Sequence, residues 1–155
     1  MTKDKETIPV AAAIIRHKNA VLATKRGYGP YKGGWEFPGG KIEPGETPGQ
    51  AVLREIREEL AAEITVRELV GIIEYDYPDF HLKMHCFLCE RKADDIVLKE
   101  HEAAIWLTED TIDEVEWLPA DRMIIPRVKL LMKSGRFEKE AAAVTGAERR
   151  QGESI

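Results

Sequence analysis

Cysteine is scarce in this chain of 155 residues: Cys86 and Cys89 are the two it has. They form a lone CxxC, and without a second such pair a four-ligand zinc site cannot be completed. Both lie in an apolar, aromatic stretch that reads as a strand, where an odd separation sends side chains to opposite faces, so reduced structural thiols are expected. Long hydrophobic runs are also missing: no apolar stretch approaches the roughly 20 residues of a membrane span. Positive charge is in deficit, with 23 Lys and Arg against 28 Asp and Glu and a formal net charge of −5. Such a chain has no global positive field with which to hold the backbone of a nucleic-acid polymer. Residues 1–7 are polar and lack the apolar core of a secretory signal, which predicts a cytoplasmic protein.

What the chain does have is patterned hydrophobicity. With 43% apolar and 33% charged residues it suits one compact domain with a real core, expected over residues 1–135. Residues 136–155 read as a polar tail or a loosely held helix. Residues 8–15 and 20–24 are predicted as two strands joined by a short turn, and residues 27–34, with four glycines and Pro30, as a loop. Trp35-Glu36-Phe37 should form a short strand stopped by Pro38-Gly39-Gly40. Thr47 then caps a helix with Pro48 at its first position, and Leu53, Ile56 and Leu60 give it one apolar face. Strands are expected over 64–75, 81–90 and 103–107. Thr108 is predicted to cap a short acidic helix, and residues 120–134 to form a final helix that turns Ile124, Val128 and Leu131 inward and ends at Gly135.

The opposite face of the first helix is loaded with glutamate. Glu55, Glu58 and Glu59 stand at i, i+3 and i+4, so their carboxylates crowd one patch, with Cβ atoms roughly 5–6 Å apart. Like charges at this spacing repel, and the repulsion calls for a counter-charge. Hard oxygen ligands clustered on a rigid element suit Mg²⁺ or Mn²⁺. A solvated acidic face would show the same spacing, so the context matters. Just upstream lies Phe37-Pro38-Gly39-Gly40-Lys41, whose glycines let backbone groups approach a ligand closely.

Gly40, Glu46, Arg54, Glu55, Glu58 and Glu59 together match the signature of the Nudix hydrolases: Gly, five residues, Glu, seven residues, then R-E-U-x-E-E-x-G-U with U apolar. The one departure is Ala61, where the signature has the helix-ending Gly. The helix should therefore turn differently there or run about one residue further. The resemblance extends through Glu74-Tyr75, His81 and residues 106–126, towards the MutT-like branch of the family. It implies an α/β fold, specifically an α/β/α sandwich with a mixed β-sheet, which binds a divalent metal and a diphosphate. By the same resemblance the Gly39 carbonyl and the carboxylates of Glu55, Glu58 and Glu59 are metal ligands. Glu100, six residues before Trp106, is the distal one, with Glu102 as its competitor. Arg54 would pair with Glu46 and orient the helix carboxylates. Glu55 is the implied general base, with Glu59 as the alternative.

The implied reaction is Mg²⁺-dependent hydrolysis, with Mn²⁺ as a substitute, of a nucleoside triphosphate to the monophosphate and pyrophosphate. A triphosphate and several carboxylates share one site only if divalent cations hold them together. Lys41 and Arg26 supply further positive charge. Tyr77 and Phe80 occupy the loop where relatives form part of a base pocket, and Phe37 lies beside it; each can stack on a base or simply pack the core. Asp121 stands where enzymes acting on oxidised guanine place Asn, in a Pro-Ala-Asp version that also resembles cytidine pyrophosphohydrolases. An ionised Asp accepts hydrogen bonds only, which suits an exocyclic amine; a protonated one also fits a guanine edge. Its other reading is an N-cap of the final helix. The partner is then a small nucleotide, with no nucleic-acid polymer and no membrane, and the protein a monomer or homodimer. Another nucleoside diphosphate derivative, or a sensor that binds without cutting, is the competing function.

Overall fold

The structure is a computed structural model that describes residues 5–92, 96, 97, 99 and 101–134. Glu100, the helix-ending Gly135 and the tail 136–155 lie outside the described residues. The chain runs β1 (Thr7–His17), β2 (Ala20–Arg26), β3 (Trp35–Glu36), β4 (Gly39–Lys41), α1 (Pro48–Leu60), β5 (Ile64–Asp76), β6 (His81–Arg91), β7 (His101–Leu107), a 3-10 turn (Ile112–Glu114) and α2 (Pro119–Lys133).

Among the described residues the strands form one seven-stranded mixed sheet. Its spine is β1, which pairs in parallel with β6 from Thr7↔His81 to Arg16↔Glu90; β5 then runs antiparallel to β6. On its other edge β1 is shared. Only Arg16 and His17 pair with β2, while Val10, Ala11 and Ala12 pair with β4. The sheet therefore divides beyond the β1–β2 turn, and β2 pairs onward with β3 and β7.

Alternation along β1 separates two cores. Ala11, Ala13 and Ile15 join Ala51, Val52, Ile56 and Leu60 of α1, whereas Ala12 and Ile14 join Ile124, Ile125 and Val128 of α2. The architecture is thus a mixed sheet between two helices, an α/β/α arrangement. Cys86 and Cys89 are free and buried in different cores, Cys86 on the α2 side and Cys89 on the α1 side. Burial pushes both thiols up, Cys89 to about 12, so neither is a thiolate at neutral pH. Among the described residues no helix is long and apolar enough to cross a membrane.

Four local expectations need correction. Pro38-Gly39-Gly40 does not simply stop a strand: Gly39–Lys41 is itself β4, because glycine lets this segment come so close to β1 that a Cβ on Gly39 would meet the Ala11 carbonyl oxygen at 2.0 Å. The acidic helix after Thr108 shrinks to a three-residue 3-10 turn, and Thr108 donates its N–H to Thr111 Oγ1 instead of capping it. On α2, Ile124 and Val128 are buried as expected, but the next inward position is Met132, four residues on, and Leu131 at the edge of that face is only partly buried.

The fourth concerns the helix end. α1 starts as expected, with a reciprocal capping box: Thr47 Oγ1 accepts from Gln50 N at 3.1 Å and Gln50 Oε1 from Thr47 N at 2.9 Å. It stops at Leu60, and Ala61 takes the left-handed conformation (φ 51°, ψ 38°) that a glycine would adopt. The turn is unchanged and alanine carries the strain of its Cβ. Ala61→Gly should therefore raise stability by about 1 kcal/mol. The midpoint of urea unfolding measures this, and an unchanged or lowered midpoint would count against strain at this position.

Candidate active site

Where β1 parts from β2, a cavity of about 630 Å³ opens between the two halves of the sheet. Gly39, Gly40 and Lys41 of β4 line one end, together with Glu55, Glu58 and Glu59 of α1. Phe37, Tyr77, Phe80 and Asp121 line the other, with Arg26, Glu36 and His101 beside them. Ten of the twelve residues predicted as catalytic, metal-ligating or substrate-binding therefore line one cavity, from β2, β4, α1, α2 and the loops at Phe37 and between β5 and β6; Arg54 does not, and Glu100 lies outside the described residues.

Arg54 stands behind the acidic end and holds it. Its Nε and Nη2 bind Glu46 at 2.6 and 3.0 Å, Nη1 donates to Glu55 at 2.8 Å and to Glu58 at 3.1 Å, and Nη2 also reaches the Lys41 carbonyl at 2.9 Å. The hydrogen bond from Arg54 pulls the Glu46 carboxyl below its usual range, and Glu46 in turn raises the guanidinium pKa. Glu46 Oε1 further accepts from Glu43 N, which ties the loop before α1 to the same cation. A Cβ on Gly40 would lie 2.0 Å from a carboxylate oxygen of Glu55, so glycine is what permits β4 and α1 to approach there.

The donors at this end are carboxylates and a main-chain carbonyl, the hard oxygen set that Mg²⁺ and Mn²⁺ take. Among the described residues no three acidic, His or Cys side chains yet converge on one point; one Arg54 nitrogen bridges Glu55 and Glu58 instead. The donor chemistry and the Gly40 cradle fit a hard divalent cation. Glu102, the competitor for the distal ligand, faces Lys25 at 3.6 Å and does not line the cavity.

The other end is aromatic. Phe37 and Tyr77 are 3% and 6% exposed and belong to the α2-side core, yet both line the cavity, so core packing and the cavity wall are the same surface. Tyr77 stacks on Phe80 with ring centroids 5.1 Å apart and meets Tyr31 edge-on at 5.2 Å, while Phe37 packs on Trp117 at 4.6 Å. Burial raises the Tyr77 phenol to about 12; its oxygen accepts the Ala120 N–H at 3.2 Å.

Asp121 is not an N-cap. α2 begins at Pro119 with Leu118 in the cap position, and Asp121 Oδ1 reaches across to accept the Phe37 N–H at 2.9 Å. Burial, reinforced by nearby Glu36, pushes its carboxyl well above the usual range. Glu36 and His101 were not foreseen. In the sequence Glu36 is one residue of a short strand and His101 one of an acidic run, and nothing in either pattern tells which side faces a cavity.

The chain belongs to the Nudix hydrolase family: the NUDIX domain matches residues 6–138. It is a hydrolase that acts on phosphoanhydride bonds, in a family that generally uses divalent metal ions and acts on small nucleotides. It is 34% identical over 126 residues to an 8-oxo-dGTP diphosphatase of Escherichia coli K12, covering 80% of this chain and 98% of that protein. It is 33% identical over 126 residues to the CTP pyrophosphohydrolase of the same strain, with coverage of 81% and 91%. The crystal structure of a MutT NUDIX hydrolase from Burkholderia pseudomallei matches with a TM-score of 0.71 at 25% identity, over 80% of this chain and 99% of that one.

The state of Asp121 has a measurable consequence. Its ionised form is penalised in the fold, so the cost is absent below the ordinary carboxylate range, grows as pH rises towards the folded pKa and is full above it. Asp121→Asn keeps an oxygen for the Phe37 N–H and removes that cost. The variant should melt at a higher temperature than wild type at neutral pH, with the difference shrinking towards pH 4. A difference independent of pH would argue against a raised pKa at this residue.

Proposed function

We propose that this chain is a Mg²⁺-dependent nucleoside triphosphate pyrophosphohydrolase, which converts a cytidine or oxidised purine nucleotide to the monophosphate and pyrophosphate. The observation that carries the reading is one cavity with an acidic, glycine-floored end and an aromatic end. A nucleotide has the matching polarity, with phosphates at one end and a flat base at the other. The names of the relatives, an 8-oxo-dGTP diphosphatase and a CTP pyrophosphohydrolase, support the same class.

The Gly39 carbonyl with Glu55, Glu58 and Glu59, joined by Glu100, would hold the metal. Held there, Mg²⁺ would supply charge neutralisation for the phosphates and lower the pKa of water at the site. Glu55 would take a proton from the attacking water as its oxygen bonds to the β-phosphorus; the bond from that phosphorus to the oxygen bridging to the α-phosphorus breaks, and the nucleoside monophosphate leaves with that oxygen. Glu59 is the alternative base. Arg54 keeps Glu55 and Glu58 in position through its hydrogen bonds to both, and Lys41 adds positive charge at the phosphate end. Phe37, Tyr77 and Phe80 supply apolar wall for the base. Asp121 and Glu36 face it with carboxylates, and Arg26 is held at this end by Glu36 at 3.0 Å. Acceptors suit the exocyclic amine of cytosine; with Asp121 protonated, a guanine edge is matched as well.

Pyrophosphate release from dGTP, 8-oxo-dGTP, CTP and dCTP tests the proposal. With Mg²⁺ at least one nucleotide should turn over, EDTA should abolish the reaction, and Glu55→Gln should lower kcat by about 10²–10⁴-fold while the protein remains folded. Silence across all four nucleotides, or turnover that survives EDTA, would sink it.

A further inference from the structure

At the aromatic end of the cavity three neighbouring strands each present one polar side chain: Arg26 from β2, Glu36 from β3 and His101 from the first position of β7. Arg26 pairs with His101 across β2–β7, and Thr24 with Glu36 across β2–β3, so register brings the three together. Each oxygen of the Glu36 carboxylate has its own partner. Arg26 Nη1 donates to Oε1 at 3.0 Å, and His101 Nε2 lies 3.2 Å from Oε2. The last torsion of a glutamate is broad, and one donor would leave the plane of the carboxylate free to turn; two donors on separate oxygens fix it. Each oxygen then keeps a lone pair for a ligand.

The two partners are unequal. His101 is 5% exposed and Arg26 35%, so the imidazole is the rigid half of the clamp. His101 Nδ1 is enclosed and has no hydrogen-bond partner among the described residues. An apolar side chain would fill the same space without that unsatisfied nitrogen. The histidine is therefore explained by its contact with a carboxylate that lines the cavity, not by packing. Nearby, Asp121 Oδ1 is committed to the N–H of Phe37, the residue after Glu36.

We propose that His101 is a positioning residue for base selection: by holding Oε2 of Glu36 it sets the orientation in which that carboxylate meets the donor edge of a bound base. This inference rests on the pyrophosphohydrolase reading above and adds the device by which one nucleotide is preferred. Cytosine and 8-oxoguanine each carry an exocyclic amine but place it differently on the ring edge, so a carboxylate held in one orientation meets one base better than the other.

The test compares wild type, His101→Leu, His101→Gln and Glu36→Gln with CTP and 8-oxo-dGTP, separating kcat from KM. His101→Leu should change the ratio of the two kcat/KM values by at least about tenfold, chiefly through KM. His101→Gln, whose amide can still donate to Glu36, should return the ratio to within about threefold of wild type. Glu36→Gln should shift the ratio as His101→Leu does, and the double variant should add nothing further. An equal fall for both nucleotides, identical behaviour of the Leu and Gln variants, or independent effects of the two positions would overturn the proposal while leaving the reaction intact. If His101→Leu does not fold, an unchanged ratio in Glu36→Gln overturns it as well. Wild-type inactivity on both nucleotides and on the wider panel would instead remove the reaction itself, and this inference with it.

Discussion

Glu46, Glu55 and Glu58 all meet the guanidinium of Arg54, which also holds the Lys41 carbonyl. Helix α1, strand β4 and the loop between them are thereby joined at one cation. Carboxylates crowded on one helix face would repel and weaken the helix that carries them. A delocalised guanidinium with five donors can satisfy several at once in fixed directions, which a lysine cannot. The acidic end of the cavity is therefore rigid because of a charge that does not itself line it.

That rigid unit reaches the cavity because the sheet divides. β1 gives one edge to two partners, and the space between β4 and β2 is where the sheet has no continuous hydrogen-bonded surface. Such a gap in a flat sheet would be filled by core side chains. Here Gly39 and Gly40 have none to offer, and the backbone of β4 presses against β1 and Glu55 instead. The cavity results at the seam, lined by residues of both α1 and α2.

At the opposite end core packing and the cavity wall share the same atoms. Phe37 and Tyr77 are core residues by burial and wall residues by position, so their packing also shapes the cavity. Asp121 is buried with the Glu36 charge nearby, which disfavours its ionised form. Carboxylates kept in such a place can be accounted for by what they face.

The sequence alone determined the elements and the chemistry of the acidic end. Hydrophobic alternation marked the strands, Thr47 and Pro48 the start of α1, and the order Gly40, Glu46, Arg54, Glu55, Glu58, Glu59 the family, because these signals are local and periodic. It missed β4, where two glycines and a proline look like a turn until β1 is alongside. It expected the end of α1 to change at Ala61, yet packing imposes the left-handed turn on alanine. Only the tertiary structure decided that Asp121 caps nothing and binds Phe37, and that Glu36, Arg26 and His101 meet. The partners in those contacts are 84, 10 and 65 residues apart, brought together by strand register and helix packing that leave no mark in the spacing of any one segment.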